Sequence, residues 1–144
     1  AHDSRFILNI EIKVLDHEVI PKAALIDLVH QLTNANKQAA CQIFYSSFDH
    51  AVLAVLLEHT SVLVGFLCRC LKEVMTLSLE GVDLQRLMGI SVKHQGKDTL
   101  AVIEYIQTTW DLPVGVYFET RQQYQDMLEI YRHHPGVVFI FCDY

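Results

Sequence analysis

Short apolar, β-rich runs alternate along this chain with stretches whose apolar residues recur at helical spacing. Phe6 to Val14 reads as a strand, followed by a helix from about Pro21 to Ala35 with Leu25, Leu28, Val29 and Leu32 on one face. Pro21 suits the first helical turn, where its missing N–H leaves no bond unmade. Gln42 to Phe48 predicts a second strand, and Asp49 an N-cap for a helix reaching Glu58. Val62 to Leu67, Leu87 to Val92, Pro113 to Phe118 and Val137 to Phe141 read as further strands. Between them fall a helix from Leu71 to Leu79 and one capped by Asp98 that carries Leu100, Ile103, Ile106 and Trp110. A last helix opens at Thr120-Arg121-Gln122-Gln123, which has capping-box spacing, and lines up Tyr124, Met127, Leu128 and Tyr131 before Pro135-Gly136 stops it.

Strands alternating with helices predict right-handed βαβ units and a parallel sheet. The fold class is therefore α/β, with about six strands and five helices. Periodicity alone fits both an open doubly wound sheet and part of a (β/α) barrel, since a closed eight-stranded barrel takes ~250 residues.

Composition narrows the function classes. Hydrophobic residues make up 51% of the 144 and charged residues 19%, which excludes disorder and predicts a single domain over residues 1–144. A net charge of -6 argues against a nucleic-acid partner, and no polybasic segment addresses an anionic membrane. The longest apolar stretch, Ser61 to Cys70, is interrupted by Gly65 and Arg69, so no transmembrane segment is expected. No signal-peptide pattern stands at the start, and the opening Ala1-His2-Asp3-Ser4-Arg5 is what a processed or excised chain would show. Cys41, Cys68, Cys70 and Cys142 read as small core residues, because Cys68-Arg69-Cys70 has the wrong spacing for a zinc knuckle. The default expectation is a reducing, cytoplasmic location.

Candidate chemistry concentrates at strand ends. Asn9, Glu11 and Lys13 share one face of the first strand, toward its C-terminal end, where parallel α/β folds bind ligands. A carboxylate followed two residues later by an ammonium suits a metal–phosphate site, and equally a strand whose polar face meets water. Ser46 and Ser47 can line a phosphate pocket or start the turn that Asp49 caps, and no Gly-x-Ser-x-Gly elbow surrounds them. The eight histidines lack metal-ligand spacing; His94, just after a strand, is the one retained as a site candidate. Tyr117, near the end of a strand, is placed to wall a pocket, whereas Tyr124 and Tyr131 read as helix packing.

Three segments together resemble the glycerophosphodiester phosphodiesterases. Leu8-Asn9-Ile10-Glu11-Ile12-Lys13 is similar to the family's "NIEIK" strand. Ser46-Ser47-Phe48-Asp49, with the Leu-rich helix and Val64-Gly65-Phe66-Leu67, is similar to its next strand–helix–strand segment. Val114-Gly115-Val116-Tyr117-Phe118, a helix and Val137 to Tyr144 are similar to its closing region. The resemblance spans nearly the whole chain but covers the C-terminal two-thirds of the family domain; the "HRG", "E.D" and "HD" motifs are absent.

That resemblance implies a partial TIM-type barrel and metal-dependent hydrolysis of a small-molecule glycerophosphodiester to an alcohol and glycerol 3-phosphate. It implies that Glu11 ligates a divalent cation, Mg²⁺ or Ca²⁺, and that Lys13 stabilises phosphate charge. Tyr117, Ser47, Asp143 and His94 would contact substrate, while the catalytic histidine pair has no counterpart in this chain. Tyr117-Phe118-Glu119-Thr120 and Cys142 depart from the family pattern. The expectation is an enzyme of lipid metabolism in its full-length form, catalytically incomplete as this chain alone. The alternative is a diverged, non-catalytic module that binds or self-associates through open sheet edges.

Overall fold

A computed structural model describes residues 7–15, 19–38 and 42–142. Among the described residues six strands and five helices alternate, and the sheet strands are parallel. The chain is thus α/β, with its strands in the chain order of a (β/α) barrel and six of them rather than eight. It divides into two compact units, Ala1–Phe66 and Leu67–Tyr144, the division falling within the third strand. Among the described residues no helix is long and apolar enough to cross a membrane.

The first unit holds β1 (Ile7–Glu11), α1 (Lys22–Asn36), β2 (Gln42–Ser47), α2 (His50–His59) and the start of β3 (Leu63–Cys68). β1 stops at Glu11 rather than Val14, and Phe6, the first residue of the expected strand, lies outside the described residues. Beyond that point Ile12 is still tied to β2, its N–H donating to Ser46 O at 2.8 Å. Asn9 pairs with Phe44 and Glu11 with Ser46, while Tyr45 pairs with Val64 and Ser47 with Phe66. Directly paired residues share a face, and successive residues along a strand do not.

Asn9, Glu11, Phe44, Ser46 and Gly65 therefore lie on one face, and Ile12, Tyr45, Ser47, Val64 and Phe66 on the other. His50 of α2 sets its ring edge-on to Phe66, with centroids 5.6 Å apart, which puts α2 on the second face. That is where a right-handed crossover from β2 to β3 should carry it, and where Tyr45, Val64 and Phe66 are wholly buried. Val52, Leu53, Val55, Leu56 and Leu57 make α2 apolar on more than half its girth. Its start is defined as the sequence predicts: Asp49 Oδ1 accepts the Val52 N–H at 2.9 Å. Pro21 sits one residue before α1 rather than inside its first turn, and its carbonyl accepts from Ala24 and Leu25 N–H.

The second unit holds α3 (Leu71–Leu79), β4 (Gly89–Lys93), α4 (Asp98–Trp110), β5 (Val114–Phe118), α5 (Arg121–Arg132) and β6 (Val137–Cys142). β4 begins two residues later than the apolar run at Leu87. Leu84 to Arg86 instead form a 3₁₀ turn, whose three-residue repeat lets Leu84 and Leu87 both be buried. Gly89 lies so close to β5 that a Cβ would stand 2.7 Å from Pro113 O. Asp98 does not cap α4: it is the first helical residue, and Lys97 occupies the cap position. Gly96, at φ +77°, turns the chain there, and Thr99 Oγ1 takes the Gln95 N–H at 2.8 Å instead. α5 keeps its predicted cap, with Thr120 Oγ1 accepting from Gln123 N.

Two substitutions test this account by urea denaturation. Asp49→Ala should lower stability by about 1 kcal/mol, the usual cost of a lost N-cap. Tyr45→Phe should raise stability by up to about 1 kcal/mol, because the buried Tyr45 hydroxyl has no hydrogen-bond partner among the described residues and its removal ends an uncompensated desolvation.

Candidate functional site

The residues with the strongest chemical claim lie in the first unit, on the sheet face opposite α2. Glu11 ends β1, at the C-terminal edge where parallel strands present ligand-binding groups. One carboxylate oxygen, Oε1, is buried and accepts no hydrogen bond among the described residues, while Oε2 stands 3.7 Å from Lys13 Nζ. The ammonium is largely exposed, at 69%, against 24% for the Glu11 side chain. A carboxylate left short of donors in a half-buried setting suits a positively charged ligand, which supplies what the missing hydrogen bonds do not.

Asn9, two positions earlier on the same face, belongs to this group. Ser46, wholly buried and directly opposite Glu11, donates its hydroxyl proton to Asn9 Oδ1 at 2.7 Å. A serine hydroxyl has one proton, so this bond leaves none for Glu11. Ser47, by contrast, points to the helix-covered face. Its hydroxyl donates to Ile12 O at 2.6 Å and accepts the Asp49 N–H at 3.1 Å. Ser47 thereby anchors the segment leading from Glu11 to Lys13, and it is not on the face that Glu11 occupies. The period-two alternation of β2 separates Ser46 from Ser47, and the pairing of β1 with β2 decides which of them faces Glu11.

The fit of a hard cation can be judged from these donors. Glu11 supplies one carboxylate oxygen that is buried and without a donor among the described residues, chemically a suitable single ligand for Mg²⁺ or Ca²⁺. Among the described residues no group of three His, Cys, Asp or Glu side chains is arranged to hold a metal. Glu11 therefore fits as one member of a ligand set, and the described residues do not supply the others.

The remaining candidates belong to the second unit and separate from one another there. Lys93 pairs with Tyr117 across β4 and β5, so Tyr117 shares a face with Lys93, Ser91 and Gly115. Its hydroxyl donates to Cys68 O at 3.3 Å, and burial, chiefly, pushes its ionisation well above the ordinary tyrosine range. Lys93 Nζ meets Glu119 at 2.6 Å. His94 comes next in β4's alternation and faces the other way. Its ring lies 5.1 Å from Phe118 and 5.7 Å from Tyr131, and its Nδ1 is 2.8 Å from the Tyr131 hydroxyl. Tyr131, expected as plain helix packing, is wholly buried and also hydrogen-bonds with Thr99. His94 is a histidine built into the layer between sheet and helices, and burial holds its pKa below the ordinary value.

Cys68 is buried, and burial pushes its thiol far above the usual range, in keeping with an inert core residue. Asp143 and Cys41 lie outside the described residues.

The lowered His94 pKa has a definite consequence. The unfolded chain takes up a proton at His94 from pH ~6.5 downward, while the folded chain resists. Stability from this group is thus present above about pH 6.5 and is lost as pH falls toward its depressed folded value. Replacing His94 with Gln should flatten the stability profile below about pH 6.5 relative to wild type, as read by urea midpoints. Identical slopes for the two proteins would refute the assignment.

Neither a model of any known protein family nor any curated protein matches this sequence.

Proposed function

We propose that this chain forms part of a metal-dependent glycerophosphodiester phosphodiesterase, whose full-length form hydrolyses glycerophosphodiesters to an alcohol and glycerol 3-phosphate. The observation that carries this reading is the buried Oε1 of Glu11, without a hydrogen-bond donor among the described residues, at the C-terminal end of a parallel strand. The resemblance of three ordered segments to that family supports it, as does the chain-order parallel arrangement of the strands.

In this reading Glu11 is one ligand of a divalent cation, Mg²⁺ or Ca²⁺. The cation, when bound, supplies the Lewis-acid charge that polarises a phosphoryl oxygen. Lys13, 3.7 Å from the second Glu11 oxygen, holds a positive charge beside that position and moves to negative charge that develops on the phosphate. Its exposure leaves it able to swing between the carboxylate and an incoming anion. Proton transfer falls to groups outside this chain, since no residue here matches the family's histidine pair. Tyr117 is proposed as a substrate contact from the face it shares with Lys93. His94 is likewise proposed as a substrate contact, and within the second unit it packs against Phe118 and Tyr131. Free thiols at Cys68 and Cys70 accord with a cytoplasmic location.

A second reading, a non-catalytic binding or self-associating module of the same fold, is favoured by one observation: no three-donor metal group occurs among the described residues. Calorimetric titration of the full-length protein with Mg²⁺ or Ca²⁺ separates the two. Under the enzyme reading Glu11→Gln should weaken cation affinity by more than the roughly 10- to 100-fold that outer-layer partners are worth. It should also abolish turnover of a glycerophosphodiester. Equal affinity in wild type and variant would overturn the assignment of Glu11 and favour the module.

A further inference from the structure

Four buried side-chain polar atoms lack a hydrogen-bond partner among the described residues, and two of them, Thr33 Oγ1 and the Tyr45 hydroxyl, belong to residues that wall one cavity. The cavity measures about 440 Å³, within the range of small-molecule sites. It lies wholly in the first unit, between the C-terminal end of α1 and the starts of β2 and β3. Gln42, in its wall, pairs with Ile7, which stands four residues and about 13 Å along β1 from Glu11. Ile43 and Tyr45 of its wall also belong to the helix-covered face, which Glu11 does not share. The cavity is therefore separate from the Glu11 carboxylate in both position and face.

A buried hydroxyl without a bond destabilises the fold, so two at one cavity call for a partner that the chain itself does not supply. The rest of the wall indicates its chemistry. Among the described residues Lys37 is the only charged side chain there, and no carboxylate is present. Ile43, Val62 and Leu63 add an aliphatic side. Lys37 and Gln42 are exposed, so the mouth is formed by side chains that can rotate aside, an adjustment that binding commonly brings. We propose that this cavity is a second binding site, independent of Glu11, for a small monocarboxylate with an apolar body. Thr33 and Tyr45 donate their hydroxyl protons to the carboxylate, whose charge makes such bonds stronger than those between neutral groups. Lys37 offsets its one negative charge from the rim, and the aliphatic side receives the apolar body. A cation finds no carboxylate in this wall, and a dianion finds a single ammonium.

Benzoate serves as the probe and benzamide, its uncharged analogue, as the control. Each is titrated into the full-length protein and followed by two-dimensional amide NMR, which reads weak affinities. Benzoate should bind saturably, with shifts centred on the Thr33, Lys37 and Val62 amides, and benzamide should bind more weakly. Tyr45→Phe and Thr33→Val each keep the side-chain shape and remove one hydroxyl. Each should weaken benzoate binding by roughly 10-fold or more, the effect of one hydrogen bond to a charged group. Lys37→Gln should weaken it by roughly 2- to 5-fold, as for an exposed ion pair, and leave benzamide unchanged. Glu11→Gln should leave benzoate affinity as it is in the wild type. Circular dichroism of each variant confirms that it folds.

A cavity that holds only water predicts otherwise. No saturable shift with benzoate, or equal affinity for benzamide, overturns the proposal. Benzoate affinity unchanged in both Tyr45→Phe and Thr33→Val overturns it as well, and loss of benzoate binding in Glu11→Gln would put the probe at the other end of the sheet. If the hydroxyl variants fail to fold, the wild-type comparison of benzoate with benzamide decides alone. The reading of Glu11 as a cation ligand stands or falls separately, on its own titration.

Discussion

Glu11 faces Ser46 across the parallel pairing of β1 with β2, and that register decides which side chains of the first unit meet. Side chains alternate with a period of two, so a slip of one residue would exchange the faces of an entire strand. In the register observed, β2 turns Tyr45 and Ser47 toward α2 and leaves Ser46 opposite Glu11. The slip is opposed by burial, because shifting β2 would turn Tyr45 out of the helix-covered layer and shifting β3 would turn out Val64 and Phe66. The placement of the polar group is therefore enforced by hydrophobic burial on the far side of the same sheet.

This coupling explains why the first unit holds a carboxylate oxygen without a donor. Ser46 is the residue nearest in register to Glu11, yet its one proton goes diagonally to Asn9. Ser47, the other hydroxyl at the strand end, is turned away and spends its capacity on Ile12 O and Asp49 N–H. Those two bonds hold the chain just beyond β1, where Lys13 leaves the sheet. Local backbone bonding thus consumes the hydroxyl that sequence inspection favours, and the sheet interior retains the one that it passed over.

The second unit obeys the same rule with a different outcome. Lys93 and His94 are adjacent, so they necessarily face opposite ways: Lys93 lies with Tyr117, and His94 with Phe118 and Tyr131. Burial keeps the His94 imidazole neutral over a wider pH range than a free histidine, and the Tyr131 hydroxyl gives its Nδ1 a partner. A buried tyrosine needs such a partner, and here Tyr131 has both His94 and Thr99. What looks in the sequence like an aromatic packing stripe on α5 is also a polar anchor for the end of β4.

Local pattern was enough to assign six strands, five helices, a parallel α/β class and the caps at Asp49 and Thr120, because each depends on residues within a few positions of one another. It misplaced the starts of β4 and α4, where a 3₁₀ turn and the left-handed Gly96 reset the backbone in ways that apolar spacing does not record. Asn9 and Glu11 were recognisable as a polar pair on one face, since alternation along a single strand is a property of that strand alone. Their partner was not. Ser46 and Ser47 are chemically identical and adjacent, and the choice between them rests on which face of β2 the helices cover. That choice, like the division of Lys93 from His94, was decided only by tertiary packing, which buries one face of a strand and so determines the company that the other face keeps.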